Sequence, residues 1–179
     1  ACFLVASAAQ AISIASLVNP SPLSLVPGFE TDGSAPLGVK RDDRLKLSPS
    51  GLTRITRHPL ILPVVPWGGA NALLAGGHAA DYTLFLGLAA YAIAGCYAQD
   101  LRVVASNQVG TVFDEGALGT FYRDTSFLPF RAIAEGRQSL EDVAREVPFA
   151  ALGVGLVLGG TIEWATLQWW IGADGPPGL

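Results

Sequence analysis

The stretch GLTRITRHPLILPVVPWGGANALLAGGH, residues Gly51–His78, contains both histidines of the 179-residue chain. Two arginines and one of the histidines lie before Pro59, and no charged residue follows within the stretch. A change from basic to uncharged sequence at this point predicts a helix that enters a membrane. Pro63 and Pro66 remove backbone donors, so we expect this helix to be kinked and packed against protein or a ligand.

The composition of the whole chain also favours a membrane protein. Half of the residues are hydrophobic and only 15% are charged, whereas about a quarter are charged in ordinary soluble domains. The mean hydropathy is +0.41. The formal net charge of −4 lacks the basic excess of nucleic-acid-binding proteins, so we expect no nucleic-acid partner.

Four apolar segments are long enough to be membrane spans, which need about 17 to 25 residues when helical. We therefore predict an all-α fold, an integral membrane bundle of about four transmembrane helices in a single membrane domain over residues 1–179. A long, partly structured loop should join spans three and four, and Ser139 should cap a helix within it. The predicted spans are residues 2–18, 59–76, 82–98 and 147–171.

The basic residues agree with this topology, because they fall in only two of the predicted loops. By the positive-inside rule, the face that carries both loops is cytoplasmic, or stromal in a plastid. Both termini and the short Gly77–Asp81 turn should lie on the opposite face. The eleven basic residues are Lys40, Arg41, Arg44, Lys46, Arg54 and Arg57 in the first loop, and Arg102, Arg123, Arg131, Arg137 and Arg145 in the second.

Four polar residues in or beside the apolar segments are candidate cofactor-binding residues. His58 either caps a helix or binds the metal of haem or chlorophyll, and His78 is either a solvated turn residue or a chlorophyll ligand. Asn71 needs a partner inside a helix, which is either a neighbouring helix or a bound pigment. Glu163 is the one acidic residue within a predicted span, so it is either functional or interfacial.

Three strings of this sequence are familiar: TRITRHP at residues 53–59, YAQDLR at residues 97–102 and YRDTSFLPFRAIAEGRQSL at residues 122–140. In this order and spacing they resemble the NnrU family of membrane proteins, most closely its plastid branch, the zeta-carotene isomerases. The resemblance implies an integral protein of the plastid thylakoid or inner envelope, with the basic loops on the stromal face.

The resemblance also implies a haem b site with axial histidines, one of them thirteen residues after the histidine of the RHP string. In this chain that position holds Asn71, and the position three residues earlier, a cysteine in the isomerases, holds Gly68. No histidine precedes His58 to serve as the second ligand. Asparagine is not among the usual axial ligands of haem iron, and the chain has no methionine.

Three functional hypotheses remain open from the sequence. The favoured one is a non-enzymatic accessory subunit of a larger membrane complex, such as a photosystem or antenna, which contacts membrane lipids and holds chlorophyll or carotenoid. The second is a haem-dependent zeta-carotene isomerase, and the third is a bacterial-type NnrU protein of nitrogen-oxide metabolism. We expect haem b less than the other pigments because of Asn71.

Overall fold

A computed structural model describes residues 1–24, 29–31, 34, 39–41, 46–76, 78–109, 112–113 and 115–171. Within these ranges the chain is mostly helical. The helices are α1 (Cys2–Ala15), α2 (Leu52–Ile55), α3 (Val64–Leu74), α4 (Ala79–Ser106), α5 (Glu115–Asp124), α6 (Arg131–Ala134), α7 (Leu140–Glu146) and α8 (Phe149–Ile171); the strands are β1 (Phe29–Thr31), β2 (Val39–Arg41), β3 (Gln108–Val109) and β4 (Val112–Phe113).

The chain forms two compact units that differ sharply in charge. The first, here called the apolar unit, comprises Ala1–Ala15, Ile61–Tyr97 and Phe149–Leu179. The second, the basic unit, comprises Ser16–Leu60 and Ala98–Pro148. All eleven lysines and arginines of the sequence belong to the basic unit. The division by charge that the sequence showed is therefore also a division between units of the fold.

In the apolar unit, α1 packs against both α3 and α8. Glycines on α8 allow the close approach to α1. A Cβ atom at Gly155 would lie 2.8 Å from the carbonyl oxygen of Ala11, and one at Gly159 would lie 2.8 Å from the Cβ of Gln10. Small residues at such positions let two helix backbones approach each other, as is common between helices in membranes.

Two of the four predicted spans are long and apolar enough to cross a membrane within the described part of the chain, namely α4 and residues Phe149–Trp169 of α8. Only 28% and 17% of their most apolar windows are buried. Their apolar side chains therefore face outward, unlike those of a helix in the core of a soluble protein. Four spans are not confirmed, because α1 has 14 residues and α3 has 11.

The prolines explain why the second predicted span is shorter than expected. Residues 59–63 form turns, and α3 begins only at Val64, with Pro63 as its N-cap. Pro66 falls in the first turn of α3, where a backbone N–H would lack an intrahelical acceptor in any case. The predicted kink is therefore wrong, since these prolines precede and start the helix instead of interrupting it.

The basic unit contains the predicted partly structured loop, with one feature that the all-α prediction missed. Strand β1 pairs with β2, and β3 pairs with β4, in two short antiparallel ribbons. The capping prediction is confirmed, because the Ser139 hydroxyl accepts hydrogen bonds from the backbone N–H groups of Glu141 and Asp142 at the start of α7. Gly77 of the predicted short turn and Arg44 of the first basic loop lie outside the described residues.

The α1–α8 contact predicts the effect of one added methyl group. Gly155→Ala should lower the thermal midpoint of the detergent-solubilised protein, because the new Cβ meets the Ala11 backbone and overpacking costs roughly 1–3 kcal/mol. Gly153→Ala is the matched control, since a Cβ at Gly153 would have no atom within 4 Å. It should leave the midpoint unchanged or raise it, and equal effects of the two substitutions would contradict the packing described here.

Candidate functional site

The three strings of the NnrU resemblance meet at the side chain of Asp100 in the basic unit. One carboxylate oxygen of Asp100 lies 2.8 Å from Nε2 of His58 and accepts a hydrogen bond from the Tyr122 hydroxyl at 3.1 Å. The other oxygen accepts from Arg57 Nη1 at 3.3 Å. Each string thus contributes to one cluster of four side chains, here called the Asp100 cluster.

Backbone hydrogen bonds position the Asp100 cluster. The Arg57 N–H donates to the Ser126 carbonyl at 3.0 Å, and the Phe130 N–H donates to the Ile55 carbonyl at 2.9 Å. The Thr56 hydroxyl donates to the Phe127 carbonyl at 2.8 Å. Thr56 is extended, and proline at position 59 disfavours helical geometry at the preceding residue. The sequence TRHP therefore ends α2 and runs beside the 125–130 segment.

Burial governs the electrostatics of the Asp100 cluster. It lowers the pKa of Arg57, with the charge of Asp100 acting in the opposite direction. It raises the pKa of the Tyr122 hydroxyl, and the negative charge and hydrogen bond of Asp100 act in the same direction. The Arg57 guanidinium also lies 4.5 Å from the centre of the Tyr122 ring. The raised pKa keeps the Tyr122 hydroxyl protonated at neutral pH, so it can donate its hydrogen bond to Asp100.

His58 is 4% exposed and is committed to this cluster. A carboxylate only accepts hydrogen bonds, so Nε2 of His58 is the donor in its hydrogen bond to Asp100. Carboxylate–histidine pairs often orient a metal ligand, but no group of three or more His, Cys, Asp or Glu residues in the described ranges could hold a metal ion. The observed contact of His58 is a buried hydrogen bond to Asp100. The expected alternatives, a helix cap, a hydrogen bond to a lipid phosphate or loop carbonyl, and ligation of haem or chlorophyll, stay predictions.

The position that the resemblance assigns to a haem ligand lies in the apolar unit, and packing closes it. Asn71 is 2% exposed, and its amide donates to the carbonyl of Trp67, one turn earlier in the same helix, at 3.1 Å. A Cβ at Gly68 would lie 2.5 Å from the carbonyl oxygen of Phe85, so α4 occupies the space that a cysteine side chain would need. The residues present do not fit an axially ligated haem at this point.

His78 is exposed and lies directly before α4. Its backbone N–H donates to the carboxylate of Asp81 at 3.1 Å, and its carbonyl accepts from the N–H groups of Asp81 and Tyr82. These contacts belong to the start of a helix. The two expected alternatives for His78, a solvated turn residue and a chlorophyll ligand, stay predictions.

Glu163 lies in the second candidate site, a polar cluster inside the apolar unit. Its side chain is 1% exposed on α8. One carboxyl oxygen, Oε2, accepts hydrogen bonds from Gln10 Nε2 at 2.7 Å and from Trp67 Nε1 at 3.0 Å. Glu163 thus joins α1, α3 and α8 through hydrogen bonds from two neutral side chains.

A groove of about 310 Å³ lies beside this polar cluster. Gln10 and Trp67, the two donors to Glu163, form part of its wall, and so does Ile162, the neighbour of Glu163 on α8. The volume is near the lower end of the range of small-molecule sites, about 300 to 1,000 Å³. The remaining lining residues come from α1 and from the start of α3: Ala9, Ser13, Ile14, Pro63 and Val64.

Three residues of these clusters were missed by sequence reasoning. Asp100 lies inside the matched YAQDLR string but is one acid among several outside the predicted spans. Gln10 and Trp67 are the partners of Glu163, and Gln10 is 153 residues away from it in sequence. The signal that could have found Gln10 is its long polar side chain in an otherwise small and apolar helix, which needs a partner in lipid.

Glu146 at the end of α7 predicts a measurable dependence of stability on pH. Two nitrogens of Arg54 each donate to its carboxylate at 2.8 Å, and the Gly51 N–H donates at 3.0 Å. The hydrogen bonds from Arg54 are the main reason that the pKa of Glu146 falls from 4.5 to about 2. Because the folded pKa is lowered, the stabilisation is complete above pH 4.5 and is lost as the pH falls toward 2.

Glu146→Gln should therefore lower the thermal midpoint at neutral pH and flatten its decline between about pH 4.5 and pH 2. Glu141→Gln is the control, because Glu141 is 81% exposed and pairs with Arg145 only at the surface. A Glu146→Gln protein with the pH profile of the unmodified chain would contradict the assigned role of the Arg54 pair.

Comparisons with known proteins agree with the three matched strings. The profile of the NnrU protein family matches residues 1–174. The chain is 34% identical to the chloroplastic 15-cis-zeta-carotene isomerase of Arabidopsis thaliana over 113 residues, which cover 61% of this chain and 29% of the relative. It is 32% identical to the enzyme of the same name from Zea mays over 129 residues, or 70% of this chain and 33% of the relative.

The chain thus spans about a third of the length of these curated relatives. No solved structure matches it significantly. The family profile covers nearly the whole chain, and the residues that carry the resemblance form the Asp100 cluster. The chain belongs to the NnrU family of proteins.

Proposed function

We propose that this protein is a non-enzymatic, haem-independent NnrU protein of a plastid membrane that binds an apolar polyene, such as a carotenoid, in the groove beside Gln10. The observation that carries the proposal is the packing at Asn71 and Gly68, which fills the position of the expected haem ligand. The names of the relatives support a chloroplast location and a carotenoid as the apolar ligand.

The groove supports an elongated apolar ligand for two reasons. It opens on the surface of the apolar unit, and its walls are mainly aliphatic with the indole of Trp67 among them. Aromatic and aliphatic walls with few polar groups are typical of sites for hydrophobic ligands. A volume of about 310 Å³ suits one end of a long polyene, whose remainder would lie along lipid-facing helix surface.

The outward-facing apolar side chains support a place within a larger membrane assembly, with either lipids or other subunits as neighbours. Large exposed apolar side chains are frequent on α8 and α4. We propose that the protein is an accessory subunit of a photosynthetic complex and that α8 faces chlorophyll-bearing or other subunits. The exposed residues of α8 include Val154, Leu156, Val157, Leu158, Ile162, Trp164 and Trp169.

A second candidate function is haem-dependent isomerisation of 15-cis-zeta-carotene. The identities of 34% and 32% to two enzymes of that name favour it. In this alternative a polyene would occupy the same groove, and iron ligation would differ from that implied by the resemblance. The two candidates therefore differ in haem content and not in the class of ligand.

Absorbance spectra of the purified protein separate the two candidates. We expect carotenoid absorption without stoichiometric haem in the pyridine haemochrome assay. Asn71→Ala should leave this spectrum unchanged, because the Asn71 amide bonds its own helix. Gly69→Ala is the neighbouring control, since a Cβ there meets no atom within 4 Å. Stoichiometric haem that disappears in Asn71→Ala but remains in Gly69→Ala would establish the isomerase alternative instead.

Native gel electrophoresis after mild detergent extraction of plastid membranes tests the proposed association. We expect the protein to migrate in a pigmented band much larger than its own 18.6 kDa. Raising the detergent concentration should release it, because apolar contacts on α8 would be replaced by detergent. A stable, pigment-free monomer that isomerises 15-cis-zeta-carotene would overturn both parts of the proposal.

A further inference from the structure

Two buried oxygen atoms of the apolar unit have no hydrogen-bond partner among the described residues. They are Oε1 of Glu163 and Oγ of Ser7, whose residues are 1% and 2% exposed. A buried polar atom without a partner costs roughly 1–3 kcal/mol. Such atoms in a folded protein therefore call for an explanation, such as a bound molecule.

Both oxygens belong to the same layer of the α1–α8 contact. Ser7 Oγ lies 3.7 Å from the position that a Cβ at Gly160 would occupy. Glu163 follows Gly160 by three residues, so the two share a helix face, and helical side chains lean toward the N-terminus. Gln10 follows Ser7 by three residues on α1 and already bonds to Glu163. The two oxygens thus face one small region between the helices.

This region lies directly behind the wall of the groove. Gln10 and Trp67 line the groove and donate to Oε2 of Glu163, which leaves Oε1 as the unpartnered atom of the same carboxyl group. Gln10 is only half-buried, and its side chain has several rotatable bonds. Rotation of this side chain away from Glu163, with loss of its own hydrogen bond, would connect the groove with Oε1 without movement of a helix.

The chemistry of the two oxygens selects one kind of polar group. A hydroxyl both donates and accepts, so it matches Oε1 of Glu163 in either protonation state and matches the Ser7 hydroxyl as well. A keto group only accepts, so it cannot bond an ionised carboxylate, and an ammonium could donate to both oxygens but would carry its charge into a mainly apolar groove. A pure hydrocarbon would leave both oxygens without partners.

We propose that Glu163 and Ser7 recognise the hydroxyl end group of a polyene alcohol, such as a hydroxylated carotenoid, whose apolar end ring occupies the groove. This inference rests on the proposed function and adds the polarity of the ligand to it. The hydroxyl donates to Oε1 of Glu163 and accepts from the Ser7 hydroxyl. Ser7 and Glu163 are then specificity-determining residues for an alcohol over the corresponding hydrocarbon.

The test compares binding of zeaxanthin, which has a hydroxyl on each end ring, with binding of β-carotene, which has none. Both are added to the purified 179-residue chain in detergent, and Kd is measured from quenching of tryptophan fluorescence. We expect zeaxanthin to bind about five- to tenfold more tightly, which corresponds to about one net hydrogen bond. The double variant Ser7→Ala, Glu163→Leu, which leaves no hydrogen-bonding group at either position, should bind the two ligands equally.

Ser7→Ala alone keeps the test independent of folding, because the hydroxyl that it removes has no partner in the described chain. It should leave the thermal midpoint unchanged or raise it, while it reduces the preference for zeaxanthin. Thr161→Val is the matched control. Thr161 lies exposed on α8 and bonds its own helix at the Val157 carbonyl, so this substitution should keep the full preference.

The outcomes distinguish this inference from the proposed function. Equal binding of both carotenoids to the unmodified protein, or an unchanged preference in the double variant, would overturn hydroxyl recognition and leave carotenoid binding in place. Absence of binding of either carotenoid would overturn the proposed function and this inference together. Loss of the preference in Thr161→Val as well would also refute a local role for Ser7 and Glu163.

Discussion

The carboxylate of Asp100 is the interaction on which the basic unit depends. Asp100 lies on α4 and contacts Arg57 and His58, which precede α3, and Tyr122 on α5. One acidic side chain therefore orients two segments that are separate in sequence. Arg57 also donates to the Thr125 carbonyl at 3.1 Å. The buried Nε of the same side chain has no hydrogen-bond partner among the described residues. Residues from all three matched strings thus meet at one shared acceptor.

In the apolar unit, too, one buried acidic side chain connects several segments through hydrogen bonds. Its helices have few polar side chains. Oε2 of Glu163 accepts hydrogen bonds from two of them, Gln10 on α1 and Trp67 on α3. Close glycine contacts bring α1 near enough for Gln10 to reach. A separate close contact, between Gly68 of α3 and Phe85 of α4, closes the Gly68 and Asn71 position, so the departures from the isomerase pattern are accommodated by the fold. Carotenoid binding without haem is consistent with this arrangement because the groove and the closed position are different places in the unit.

The sequence predicted those features that depend on local chemistry. Ser139 was recognisable as an N-cap, the apolar runs of α4 and α8 were long enough to identify, and the lysines and arginines were already segregated. Pro63 and Pro66 were misjudged, because proline has opposite effects at a helix start and in its interior, and the apolar pattern alone does not fix where the helix begins. Glu163 was recognisable as an exceptional residue, but its partners were not, since Gln10 is distant in sequence and its neighbours on α1 carry no matching signal. Asp100 was missed because Arg57, His58 and Tyr122, which contact it, come together only in the folded protein.

The pairing of α1 with α8 has a consequence for how the protein is made. The Gln10–Glu163 hydrogen bond joins residues 153 positions apart, and a ribosome adds about 5 to 20 residues per second. Helix α1 therefore waits roughly eight to thirty seconds after its own synthesis before α8 exists. During that interval the Gln10 amide and the small-residue face of α1 are open to other helices and to the insertion machinery. A chain whose synthesis stops before α8 would leave this surface without its partner.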